Sequence, residues 1–282
     1  MAWRLEQIHR DPPPFPLARR EVSCEGNRKD TATIETEPER PKAPSRKGAD
    51  LGREGIFGSV AEETMDWERQ RKQMVELQIR NRGIREKRIL DALSRVQRHL
   101  FVPDELQSES YCDHPLPIGR QQTISQPYIV ALMTHHLQVR SSDRILEIGT
   151  GCGYQTAVLA ELAKEVYSVE IISELLDVAR ENLQRLSYGN VHLRDGDGIM
   201  GWREEAPFDG IMIAAAPADI PRQLLSQLKP GGSMVVPVGT LLQQLLKISK
   251  REDGKIFRKT ITQVRFVPMT GKIEEEASRH FP

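Results

Sequence analysis

Two acids and three glycines, set close together, carry the first chemical suggestion in this chain. Gly149, Gly151 and Gly153 alternate with Thr150 and Cys152 and lead into Tyr154. Glycines at that spacing let a backbone turn sharply and approach a ligand closely. Glu147 stands two positions before the first of them, and Glu170 closes the next apolar run, Val166-Tyr167-Ser168-Val169. A carboxylate at the end of a strand is suited to hold two ribose hydroxyls. The pattern is G-x-G-x-G and not the G-x-G-x-x-G of dinucleotide folds, which argues against a nicotinamide oxidoreductase. The bland alternative is a tight turn in an ordinary α/β protein. A further candidate, Ser125, lies in a proline-flanked polar stretch, residues 115–128, that reads as a surface loop. Its bland reading is the N-cap of a helix over residues 129–137, with Pro127 near the first helical position.

The elements that must position these residues follow from hydrophobic pattern. Ile145, Leu146 and Ile148 form a short apolar run, as in a strand covered on both faces, and helical spacing resumes over residues 154–162. A helix starting there offers free N–H groups to a negatively charged ligand. Residues 171–186 predict an amphipathic helix with Ser173 at its N-cap and Leu175, Leu176, Val178, Ala179, Leu183 and Leu186 inside. Residues 191–194 and 208–216 predict further strands, the latter ending in small residues, Ala214-Ala215-Ala216, that leave room for a ligand. Residues 221–228 predict a short helix. Strands follow over 233–238, 241–249 and 256–267, the last two joined by a turn at Glu252-Asp253-Gly254. Upstream, an amphipathic helix runs from Asp66 to near Gly83, with Met74 and Leu77 on its apolar face. A second covers about residues 86–96. Alternating strands and helices closed by a hairpin imply an α/β fold. Its doubly wound sheet is mainly parallel with antiparallel edge strands, and N-terminal helices precede it.

The glycine loop with Glu147 and Glu170 resembles the S-adenosylmethionine site of Rossmann-like methyltransferases. The likeness narrows with Arg98-His99-Leu100-Phe101-Val102-Pro103 and Thr123-Ile124-Ser125-Gln126-Pro127. These look like segments of the protein-L-isoaspartate O-methyltransferase family. It continues through Gly196-Asp197-Gly198, Ala206-Pro207-Phe208-Asp209, Pro230-Gly231-Gly232 and Val236-Pro237-Val238-Gly239, over roughly residues 66–270. Thr123-Ile124-Ser125-x-Pro127 is the family-specific part. Two positions depart from some relatives: Tyr128 stands where they carry His, and Glu147 where they carry Asp.

The resemblance implies methyl transfer from S-adenosyl-L-methionine, leaving S-adenosyl-L-homocysteine. The acceptor is the free carboxylate of L-isoaspartyl residues in damaged peptides and proteins, and repair then proceeds through a succinimide. It implies cofactor contacts from Glu147, Gly149, Thr150, Gly151, Gly153, Glu170, Asp197 and Gly198, with Asp197 at the adenine end. It places Thr123, Ile124, Ser125, Val236, Pro237 and Val238 around the peptide, with Ser125 as the catalytic residue that orients the carboxylate. An ionised carboxylate needs no strong base, so orientation and exclusion of water are what the protein must supply. Residues 63–282 are then one methyltransferase domain: helical lead-in and substrate loop at 63–125, cofactor core at 126–240, C-terminal hairpin at 241–270. Two rival readings remain at this point. One is a related methyltransferase acting on another carboxylate or small molecule. The other is a non-catalytic module that keeps the cofactor pocket.

Bulk properties bound the rest. Across 282 residues the formal net charge is zero, so charge gives no argument for nucleic acid or anionic membrane. No apolar run approaches a membrane span, and a cytoplasmic monomer is expected. Residues 1–62 are proline-rich with mixed charges and few apolar groups, and are expected to be disordered. The prolines at 12, 13, 14 and 16 suit a polyproline ligand or a plain spacer. The three cysteines, at 24, 112 and 152, are widely spaced and indicate neither a disulfide framework nor a metal site. His135 and His136 are neighbours on a helix and point apart, so they do not clamp a metal. No metal is expected.

Overall fold

The computed structural model describes residues 66–271. The expectation of disorder over residues 1–62 and the polyproline reading lie outside the described residues. Asp66 opens α1 (Trp67–Gln73) by accepting the Arg69 N–H on its carboxylate at 2.9 Å. The helix continues through a π-helical segment, Met74–Ile79, and a 3₁₀ turn, Arg80–Arg82, and stops at Gly83 in a left-handed conformation. The buried stripe here is Met74, Val75, Gln78 and Ile79. Leu77, expected inside, falls off that stripe and is exposed. The next helix, α2 (Lys87–Arg95), buries Ile89, Leu90, Ala92 and Leu93.

The stretch read as a surface loop is a small antiparallel hairpin, β1 (Leu116–Gly119) and β2 (Gln122–Ile124), separate from the main sheet. Its turn residues Arg120 and Gln121 both have positive φ, 51° and 58°. That is the twist a two-residue hairpin needs, normally supplied by Asn-Gly or Asp-Gly, so the sequence carried no hairpin signature. Next comes α3 (Pro127–Leu137), with Pro127 in its first turn and Gln126 at the N-cap. Ser125 precedes the cap position and does not fill it.

Apolar runs become parallel strands: β3 (Arg144–Ile148), β4 (Glu165–Glu170), β5 (Val191–Asp195) and β6 (Phe208–Ile213), interleaved with α4 (Tyr154–Ala160) and α5 (Ser173–Arg185). Ser173 is the first residue of α5 and not its N-cap, and Val178 is exposed. The short α6 (Arg222–Gln227) leads into β7 (Leu228–Val238), and β8 (Gln243–Lys250) and β9 (Ile256–Val264) return antiparallel. Leu241 and Leu242, expected in a strand, lie fully out in the turn before β8.

The sheet order is β5-β4-β3-β6-β7-β8-β9. The chain winds outward one way from β3 through β4 to β5, and the other way from β6 to β7. The switch point, where open α/β sheets bind ligands, is between β3 and β6. Two apolar cores cover the two faces. One contains Ile145, Val158, Ala179 and Met212, and the other Leu146, Ile148, Ile211 and Met234. Alternation along β3 therefore aims Glu147 at the same face as Ile145, toward α4. Cys152 is a free, buried thiol.

Candidate active site

Beyond the C-terminal ends of β3, β4 and β6 lies a cavity of about 90 Å³. Its base is Ile148 and the loop Gly149, Thr150, Gly151 and Cys152, and Ala214 and Ala215 adjoin it after β6. The small residues at that strand end leave the expected room. Glu170, Ile171, Ile172 and Leu175 form one side, and residues 267–270 another. The hairpin covers it with Ile118, Gln122, Thr123, Ile124 and Ser125.

The loop conformation depends on glycine at two kinds of position. Gly151 has φ 55° and Gly153, the N-cap of α4, has φ 89°. Both are left-handed values that disfavour side chains. Gly198 is needed for close approach instead: a Cβ there would come within 2.3 Å of the Ile148 side chain.

Glu170 is the chemical centre of the cavity wall. Its carboxylate accepts the Gly151 N–H at 2.9 Å on one oxygen, and the Ile171 and Ile172 N–H groups at 3.1 and 3.0 Å on the other. An ionised carboxylate has about four acceptor sites. Three are filled by backbone, so a ligand diol meets a carboxylate already fixed in place.

Glu147 lies beneath the loop. It is fully buried and does not line the cavity. One oxygen accepts Thr156 Oγ1 at 2.5 Å and Ser168 Oγ at 2.6 Å, and Ser168 Oγ lies 2.7 Å from Thr150 Oγ1. The other oxygen has no protein partner. Burial pushes its carboxyl up to about 7, against the opposing pull of the two hydroxyl donors. Burial likewise pushes the Cys152 thiol up to about 11, so it is protonated and unreactive near neutrality.

Of the residues singled out by sequence, the cavity gathers Thr123, Ile124, Ser125, Gly149, Thr150, Gly151, Glu170 and Gly198. Ser125 Oγ has no protein hydrogen-bond partner among the described residues. Asp197 is adjacent to the wall and accepts the Ile199 N–H at 3.0 Å. Gly153 supports the loop from α4. Val236, Pro237 and Val238 end β7 outside the cavity wall, Val236 within the second core. Sequence reasoning missed residues 267–270, which it assigned in part to a strand. They cross the end of the sheet where Ala216 N–H donates to Val267 and Met269 N–H to Ala216, both at 2.9 Å. Pro268, a strand breaker, was the available signal.

Among the described residues, no helix is long and apolar enough to cross a membrane, and no group of His, Cys, Asp and Glu is placed to hold a metal. The family model for protein-L-isoaspartate(D-aspartate) O-methyltransferase matches residues 69–274. A protein-L-isoaspartate O-methyltransferase of Myxococcus xanthus is 55% identical over 194 residues, covering 67% of this chain and 92% of its own. A solved protein-L-isoaspartate O-methyltransferase superposes with a TM-score of 0.67 at 26% identity, covering 74% of this chain and 69% of that one. A Plasmodium falciparum beta-aspartate methyltransferase in complex with S-adenosyl-L-homocysteine gives 0.63 at 24% identity, covering 71% and 98%, and shares the fold. The Rossmann-like methyltransferase fold and the matches over most of the chain agree: this chain belongs to the protein-L-isoaspartate(D-aspartate) O-methyltransferase family.

Proposed function

We propose that this protein transfers a methyl group from S-adenosylmethionine to the free carboxylate of L-isoaspartyl residues in peptides and damaged proteins. The observation that carries the reading is one cavity with a fixed carboxylate, Glu170, on one wall and, directly after the facing hairpin, the hydroxyl of Ser125, which has no protein partner among the described residues. The residues present fit the cofactor. Glu170 meets the ribose diol through its remaining acceptor site and by exchange of the Gly151 N–H. The flat approach at Gly198 and the apolar side chains of Ile171, Ile172 and Leu175 suit a purine, with Asp197 beside them. Gly149, Thr150 and Gly151 provide the backbone surface for the amino-acid end. Glu147 and Gly153 act from behind the loop and hold its shape.

S-adenosylmethionine supplies a methyl group activated by a sulfonium. The protein's part is to bind, orient and dehydrate. Ser125 hydrogen-bonds the substrate carboxylate and sets its direction of approach, while Thr123 and Ile124 cover it from water. Ser125 is not a nucleophile, because no base is hydrogen-bonded to it. Val236, Pro237 and Val238, at the neighbouring strand end, receive the peptide flanks through main-chain contacts. The reading takes residues 63–282 as one domain that acts as a monomer. The partners in this reading are isoaspartyl peptides and proteins in the cytoplasm; zero formal net charge offers no bulk attraction to nucleic acid or anionic membrane.

The test is transfer of labelled methyl to an isoaspartyl peptide beside its aspartyl twin. Base-labile label on the isoaspartyl peptide alone is expected. Cofactor binding with no label on either peptide overturns the reading.

A further inference from the structure

The hairpin that covers the cavity is fastened at its tip. Arg120 Nη2 lies 2.8 Å from Glu174 Oε1, in the first turn of α5, which is also the turn that supplies Leu175 to the cavity wall. The pair therefore bridges the hairpin and the Glu170 side of the cavity. Nearer the base of the hairpin, Ile118 reaches over the glycine loop, where its Cδ1 would lie 3.3 Å from a Cβ on Gly151. With the pair made, the space beneath is about 90 Å³. The hairpin therefore overlies the space that a ligand must occupy.

The turn itself argues that a side chain at position 120 has a use. Arg120 and Gln121 occupy left-handed backbone that glycine or asparagine adopts with less strain. Strain of this kind persists where the surrounding structure holds it, and glycine at 120 would relieve it but would have no reach to Glu174.

Resting on the reading of this cavity as the S-adenosylmethionine site, we infer that Arg120 and Glu174 are positioning residues for the cofactor. Their ion pair latches the β1–β2 hairpin over the bound nucleoside and limits the rate at which product cofactor leaves. Both side chains are more than half exposed, 59% and 61%. The latch is accordingly weak, salt-sensitive and able to open in every turnover.

The experiment is a chase of labelled S-adenosylhomocysteine from the full chain and from Arg120→Gln, Glu174→Gln and the reversed pair, Arg120→Glu with Glu174→Arg. Each single neutralisation is expected to speed release about two- to fivefold, the range an exposed ion pair supports. It raises the S-adenosylmethionine KM by more than it changes kcat. The reversed pair and Arg120→Lys restore slow release. Added salt accelerates the wild type and leaves the neutralised variants nearly unchanged. Wild-type protein that fails to bind S-adenosylhomocysteine removes the cofactor reading and the latch together. Tight binding by the wild type, with release rates equal in all variants or not restored by reversal, removes the latch alone.

Discussion

The two walls of the cavity are built to different standards. The glycine-loop wall stands on β3, an interior strand of the seven-stranded sheet. Gly149 N–H donates to Val169 and Gly153 N–H to Thr150, each at 2.9 Å, and Asn182 Nδ2 donates to the Cys152 carbonyl at 3.0 Å. Glu147, Thr156, Ser168 and Thr150 form a buried chain of hydrogen bonds below. The hairpin wall has two strands of four and three residues, an exposed turn, a latch at its tip and Gln126 Nε2 donating to Asp113 at its base. Segments with few buried contacts open at low free energy, while core strands open only near the global limit. On the proposed assignment, the stiff wall holds the cofactor, whose shape never varies, and the soft wall receives peptides, whose sequences do.

The largest effect is expected where the stiff wall meets the cofactor. Glu170→Ala leaves three backbone N–H groups without their acceptor and removes the ribose contact. Hydrogen bonds to a charged group contribute roughly 1.5–3 kcal/mol each, so S-adenosylhomocysteine affinity should fall about 100-fold or more. Calorimetric titration measures this; an affinity within threefold of wild type would move the ribose elsewhere.

Glu147 tests the stiffness from below, without touching the cavity. Below about pH 4.5 its carboxyl is protonated in folded and unfolded chains alike. As pH rises, the unfolded chain ionises while the buried group keeps its proton until about pH 7. Stability therefore declines through that window, by about 1.4 kcal/mol per pH unit and about 3 kcal/mol in all. Glu147→Gln removes the slope, so the variant should gain several degrees in Tm over wild type between pH 5 and pH 8. A Tm gap that stays constant across that range would mean the buried carboxyl does not hold its proton.

The same contrast explains what the sequence revealed. Strand β3 was legible because Ile145, Leu146 and Ile148 must be covered on both faces, and α2 because residues 89, 90 and 93 share one stripe. Glu170 was legible because strand, turn and acid occur in order. The placement of Glu147 could be had only by carrying the strand alternation one step further, which puts it beside Ile145 and under the loop. The hairpin was hidden because Arg120 and Gln121 bear none of the usual turn chemistry, and β1 and β2 are too short to alternate. Residues 267–270 have no period at all; only the sheet they cross makes them part of the cavity.

The smallest effect separates two roles for Ser125 on the soft wall. An N-cap serine replaced by alanine costs about 1 kcal/mol of stability, but here Gln126 occupies the cap and Ser125 Oγ has no protein partner among the described residues. Ser125→Ala should therefore leave Tm and S-adenosylhomocysteine affinity within error of wild type. If the hydroxyl orients the substrate carboxylate, its loss removes one hydrogen bond to a charged group, about 1.5 kcal/mol, and turnover of an isoaspartyl peptide falls about tenfold. Ser125→Thr, which keeps the hydroxyl, should recover part of it. A lowered Tm with unchanged turnover would return Ser125 to the helix and leave the hairpin wall without its orienting group.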